Sequence, residues 1–311
     1  MLDRSLLFWN RPRLVMVELT NLCNLRCVMC GIWEESPKRT FDLDLYRSLL
    51  EERAVRGARV LALSGGEPFM IPNIGDYYEL ARRSAPRRHV NVSTNGYYTD
   101  RTLDFLGRAD RARTSITISY DGVRSHDKVR RVEGSAARLL RTAAGIRTRF
   151  PEVRLALKLT VTSDNHLEIA ETARLCERMG IPFLVKTLEK LQCHQSRFPS
   201  PVQGPDYDGP ARAAIVAQAR EVLGMGHQTN RGYLERLVRD GGAPGASCAC
   251  SPRTLFVGID GKVFLCRRKD PIGNLHDAGL DALWRSGAKR ARQAEMAACG
   301  GSPDGLAFAS D

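Results

Sequence analysis

Short runs of aliphatic and β-branched residues recur along the first two-thirds of the chain, separated by longer stretches where apolar residues return every three or four positions. The short runs, at 14–20, 60–64, 90–94, 115–120, 155–161 and 183–186, predict strands. The last begins directly after Pro182, which suits the start of a strand better than its middle. The longer stretches, at 43–53, 74–83, 136–149 and 167–179, predict amphipathic helices. Strands alternating with helices make βαβ units and a parallel sheet. The expected fold is α/β, a partial (β/α)6 TIM-like barrel, with its chemistry at the C-terminal ends of the strands.

The pattern breaks near residue 195. FPSPVQGPDYDGP (198–210) is a proline- and glycine-rich connector, followed by a helical stretch at 211–223. A second glycine-rich break, DGGAPGA (240–246), precedes a compact tail. That tail predicts a hairpin, 254–259 and 262–266 around an Asp260-Gly261 turn, and then a helix over 280–290. The expected organisation is a barrel over 1–195, a connector with a helical segment over 196–246, and a small C-terminal extension over 247–311.

Composition changes this picture little. A hydrophobic content of 43% across 311 residues suits a chain that buries a proper core. No apolar run reaches the ~20 residues needed to span a bilayer. The opening MLDRSLLFWNRPR lacks the apolar core and cleavage site of a secretory signal, so the expectation is a cytoplasmic protein with no membrane partner. The +12 formal charge comes from scattered arginines, without an aromatic-interleaved basic strand or a helix-turn-helix pattern. No nucleic-acid partner is therefore expected.

Cysteine placement carries the chemistry. The chain has 9 cysteines, and in a reducing compartment metal binding or catalysis is favoured over disulfides. Cys23, Cys27 and Cys30 follow the first predicted strand with C-x3-C-x2-C spacing. Thiolates are soft ligands for iron–sulfur clusters or zinc, and closely spaced ones reach one centre from one loop. A structural zinc site would be closed by a fourth ligand, and none sits nearby in sequence. Three cysteines that merely pack are the remaining alternative.

ELTNLCNLRCVMC resembles the cluster loop of the radical S-adenosylmethionine (SAM) superfamily, apart from Met29 in place of the usual aromatic residue. Gly65-Gly66-Glu67-Pro68, closing the second strand, matches that superfamily's GGEP segment. Thr94-Asn95 and Ser119-Tyr120-Asp121, ending the third and fourth strands, resemble segments lining its cofactor site. The resemblance implies a site-open 4Fe–4S cluster on Cys23, Cys27 and Cys30, with S-adenosylmethionine chelated at the free iron. It implies Gly65, Gly66 and Glu67 at the methionine amino group, Ser119 and Asp121 near the ribose, and Arg130 at the carboxylate. Reductive cleavage would then give a 5′-deoxyadenosyl radical that takes hydrogen from an unactivated substrate carbon, with flavodoxin or ferredoxin as electron donor.

Cys248 and Cys250 precede the tail hairpin, Cys266 ends it, and Cys299 follows the last predicted helix. CACSPRTLFVGIDGKVFLC and IGNLHDAGLDALW resemble the twitch/SPASM extension, which implies a second, auxiliary 4Fe–4S cluster on Cys248, Cys266 and Cys299. Cys250 completes the set, or the fourth position is open; structural zinc is the other option. Cys176 lies in a helical pattern and is read as a small buried residue. Cys193 lies beyond the sixth strand, on the expected active-site side, near Lys186, Glu189 and His194. It could donate hydrogen to a substrate radical, ligate a cluster, or do neither. Radical epimerases of similar architecture use such a thiol. The expected function is an epimerase of a carbohydrate or aminocyclitol unit in natural-product biosynthesis, with a small-molecule carbohydrate-type substrate. A dehydrogenase using the auxiliary cluster as electron acceptor, and a peptide-modifying enzyme, are the alternatives.

Overall fold

The computed structural model describes residues 12–187, 209–226, 230–241, 253–266 and 269–298. Six strands run in chain order and pair in parallel with their sequence neighbours: β1 (Leu14–Glu18), β2 (Val60–Ser64), β3 (His89–Thr94), β4 (Thr114–Ser119), β5 (Arg154–Val161) and β6 (Phe183–Thr187). The predicted strands match these within two residues at each end. Alternation explains the layering. Val15, Val17, Leu61, Leu63, Val90, Val92, Ile116, Ile118, Leu157 and Leu159 pack outward into the core beneath the helices. Their neighbours Met16, Ser64, Ser93, Ser119, Lys158, Thr160 and Lys186 are half-buried on the opposite, inner face. A parallel sheet with an apolar outer face and a polar inner face is a barrel wall around a site. The fold is α/β, a partial barrel with one edge at β6.

Helices cover the outside: α1 (Leu43–Glu51), α2 (Arg53–Arg56), α3 (Ile74–Ser84), α4 (Thr99–Arg108), α5 (His126–Arg130), α6 (Ser135–Arg149) and α7 (Ile169–Arg178). The chain then forms α8 (Gly209–Leu223) and α9 (Arg231–Arg239). Both lie in the predicted connector, yet α8 packs on α7 and α9 closes the β6 edge. Asn230 brackets Val185, donating to its carbonyl oxygen and accepting from its N–H, while the Tyr233 hydroxyl accepts from Thr187 N–H at 2.8 Å. These side chains satisfy backbone groups that an open edge would leave for another strand.

The tail joins the same sheet. β7 (Thr254–Val257) pairs in parallel with β1, and β8 (Lys262–Phe264) and β9 (Gly273–Asn274) continue antiparallel beyond it. The order is β6-β5-β4-β3-β2-β1-β7-β8-β9. The predicted hairpin is present, and Gly261, at φ +78°, makes its turn. Where one helix was expected over 280–290, the chain forms two, α10 (Leu280–Arg285) and α11 (Gly287–Ala298), broken at Ser286. None of the described helices is long and apolar enough to cross a membrane.

Candidate functional site

The loop after β1 carries Cys23, Cys27 and Cys30, and side chains of its own residues fix its course. Thr20 Oγ1 donates to Arg39 O and accepts from Leu22 N–H, while Asn21 donates to Pro37 O and accepts from Arg39 N–H. Lys38 closes the far side by donating to Trp33 O at 2.7 Å. Backbone bonds then tie the loop to α5, with Arg26 N–H donating to Arg130 O and Val28 N–H to Val129 O. Leu25, Cys27, Met29 and Val129 form a small apolar cluster of their own, with Cys23 and Cys30 packed against it.

The glycines of the second segment are required by this loop. Gly66 N–H donates to Thr20 O at 2.6 Å, and Glu67 N–H to Leu22 O at 2.7 Å. A Cβ on Gly66 would stand 2.0 Å from Leu22 O, and one on Gly65, at φ +137°, would stand 2.5 Å from Thr20 O. Only backbone without a side chain fits so closely. Glu67 is fully buried and accepts from Thr94 Oγ1 (2.7 Å), Asn95 N–H (2.7 Å) and Phe69 N–H (3.0 Å). Burial pushes its carboxyl up to about 7, against the pull of these donors. Asn95 extends the link by donating to Asn24 Oδ1 in the cysteine loop at 2.9 Å. Gly65, Gly66, Glu67, Thr94 and Asn95 are thus brought against the loop of the three cysteines.

The end of β4 adds charge. Asp121, fully buried, accepts from Thr160 N–H at 2.8 Å and forms an ion pair with Arg130. Arg130 also donates to Cys27 Sγ at 3.4 Å, and its Nε is buried without a hydrogen-bond partner. Burial pulls its guanidinium down, but the Asp121 carboxylate beside it wins and holds it above its ordinary range. Ser119 keeps partial exposure on the inner face, whereas both oxygens of Asp121 are already engaged. Burial first, and the neighbouring Cys27 second, push Cys23 and Cys30 up to about 12. Thiolates crowded this way need a cation among them, and soft sulfur donors suit an iron–sulfur centre. The residues present therefore fit such a group.

Several of these partners were not among the expected site residues. His126 Nδ1 accepts from Asp121 N–H at 3.0 Å, which places its proton on Nε2, and that atom is buried without a partner. Burial, then Arg130, lower His126 to about 4. Glu168 accepts from Arg124 N–H at 2.8 Å and so holds the turn after Asp121. Lys158 was not among them either, although a lysine flanked by Leu157 and Leu159 within a strand is a readable signal of an inward charge. Among the tail cysteines, Cys266 follows β8 and is buried. Cys193, Cys248, Cys250 and Cys299 lie outside the described residues.

Comparison with known proteins agrees with this geometry. The family model for the radical SAM superfamily matches residues 17–176, from β1 to α7. An AdoMet-dependent heme synthase of Methanosarcina barkeri is 34% identical over 188 residues, 57% of this chain and 52% of that protein. A PqqA peptide cyclase of Gluconobacter oxydans is 26% identical over 172 residues, 54% of this chain and 47% of that protein. The chain spans about half the length of these curated relatives. Among solved structures, Streptococcus suis SuiB bound to precursor peptide SuiA shares the fold with a TM-score of 0.68 at 12% identity, covering 91% of this chain and 67% of that one.

Proposed function

The chain belongs to the radical SAM superfamily, and we propose on that footing that Cys23, Cys27 and Cys30 hold a 4Fe–4S cluster with one iron left open for S-adenosylmethionine. When bound, the two groups supply a 5′-deoxyadenosyl radical able to take hydrogen from an unactivated carbon. The chain's own residues bind, orient and exclude water. Gly65 and Gly66 let the backbone reach the methionine amino group, and Glu67 with Thr94 and Asn95 holds that turn against the loop. Arg130 meets the carboxylate while Asp121 fixes it, and Ser119 offers a hydroxyl near the ribose. The contact that carries this reading is Arg130, held by Asp121 and aimed at Cys27 Sγ. Anaerobic reconstitution with iron and sulfide, followed by reduction with S-adenosylmethionine present, is expected to release 5′-deoxyadenosine. No release from a reconstituted, reduced protein would reject it.

For the outcome of the reaction we propose the epimerase reading, on a carbohydrate or aminocyclitol unit. Cys193 returns a hydrogen atom to the substrate carbon from the opposite face, and its thiyl then takes up one electron and one proton. Cys248, Cys250, Cys266 and Cys299 are proposed to hold a second cluster near that electron path, with flavodoxin or ferredoxin as outside donor. Deuterium from heavy water in the product of the parent enzyme, lost in Cys193→Ala, supports the donor role. A second reading, modification of a peptide, is favoured by the likeness to the PqqA peptide cyclase. Where that modification is a cross-link, which needs no returned hydrogen, Cys193→Ala keeps full turnover.

A further inference from the structure

Three basic side chains converge on the inner face of the barrel near the ends of β4 to β6. Lys158 on β5 and Lys186 on β6 point inward, because Leu157, Leu159 and Val185 beside them pack in the outer core. The register sets Lys158 opposite Leu184 and Thr160 opposite Lys186, so the two lysines are diagonal neighbours on one face. The third cation is Arg130, whose charge and that of Lys186 both act on Lys158. Asp121, the acid that acts on Lys158, is taken by Arg130 and by Thr160 N–H. Neither lysine's ammonium group has a hydrogen bond or an ion pair among the described residues. Burial first, then Lys186, lowers Lys158 to about 8.

Two like charges, half-buried, with Asp121 already bound to Arg130 and no ion pair of their own among the described residues, oppose each other until an anion sits between them. Resting on the function proposed above, we propose that Lys158 and Lys186 anchor an anionic group of the substrate, a carboxylate or a phosphate, with the hydroxyl of Thr160 beside it. The register supports the hydroxyl, since Thr160 pairs with Lys186. The proposed cofactor contacts lie on β2, β3, β4 and α5, and its carboxylate is assigned to Arg130. That leaves the two lysines, further round the wall, for the other reactant. Ammonium groups bind such an anion as point charges, with weaker demands on its geometry than an arginine fork.

The test is lysine footprinting of the reconstituted full chain. The protein is acetylated with N-hydroxysuccinimide acetate at pH 8, and each lysine is followed by peptide mass spectrometry. Inorganic phosphate and acetate are compared with chloride at matched ionic strength. At saturation the anion that matches the site should slow labelling of Lys158 and Lys186 by about tenfold, since occupancy divides the free fraction by 1 + [L]/Kd. Lys128 and Lys262, which pair with Asp164 and Asp260 at the surface, should change little. Protection by phosphate points to a phosphoryl group, and by acetate to a carboxylate. In Lys158→Gln the protection of Lys186 should fall to about twofold or less. No protection, or equal protection at the surface lysines, overturns the proposal. So does protection of both lysines by S-adenosylmethionine alone, which would hand the site to the cofactor. Deoxyadenosine release is measured on the same preparation, so intact release without anion protection rejects the anion site alone.

Discussion

At the scale of single residues the site is held together by backbone contacts that no side chain could mimic. Gly66 lies so near the carbonyl of Leu22 that any Cβ must move the cysteine loop itself. Gly66→Ala is expected to destabilise the protein by about 2–3 kcal/mol through overpacking. It should also cut the iron retained after reconstitution, because the displaced loop carries the three thiols. Gly75→Ala is the control: nothing lies within 4 Å of its Cβ, and it is the second residue of α3, so a gain of no more than about 0.5 kcal/mol is expected. Urea titration and iron assay read both variants, and unchanged iron in Gly66→Ala would show that the contact does not position the loop. The cysteine spacing and the two glycines are legible in the sequence because each is a local string. The Asp121–Arg130 ion pair and the His126 acceptor are not, since they depend on how α5 folds back across the end of β4.

At the scale of elements, strands are easier to read than helices. Each parallel strand is an apolar run between breaks, and the outer-face residues of β1 to β6 all carry it. The expected helices leave out α4, although Thr102, Leu103, Phe105 and Leu106 of TDRTLDFLGR form a buried stripe at helical spacing. The short helix α5 is defined by its contacts with the cysteine loop rather than by its own periodicity. The docking of the tail is equally invisible. Asp281, at the start of α10, accepts from Arg53 N–H at 3.1 Å and Ala54 N–H at 3.0 Å, capping α2 from 227 or more residues away in sequence. Glu52 answers by accepting from Asp281 N–H at 3.0 Å. Asp281→Ala removes both acceptors and should lower stability by about 1–2 kcal/mol, as loss of a helix N-cap does. Asp76→Ala in α3 is the comparison, being an exposed first-turn acid whose loss should cost no more than about 1 kcal/mol. Urea titration of the two variants side by side measures the difference. Equal losses would mean that the cap contributes nothing beyond a charge near a helix start.

At the scale of the whole molecule the tail does more than carry Cys266. Its strand β7 covers the flank of β1, and β1 delivers the chain into the loop of Cys23, Cys27 and Cys30. Arg13 and Leu14 also donate their N–H groups to Arg253 O, at 2.7 and 3.2 Å. Removing everything after residue 252 would turn β1 into an edge strand with unpaired backbone groups. Amide exchange along 14–18 in the truncated chain should then quicken by about a hundredfold or more, because edge strands open locally at low cost. Iron retained by the first cysteine loop should fall with it. Cys266→Ser separates this effect from loss of the proposed second cluster, since it removes a thiol while leaving β7 paired with β1. If the truncation lowers iron at the first loop and Cys266→Ser does not, the tail supports initiation by walling the barrel. If Cys266→Ser alone lowers that iron to the same extent, the wall is not the cause, and the two cysteine groups depend on each other directly.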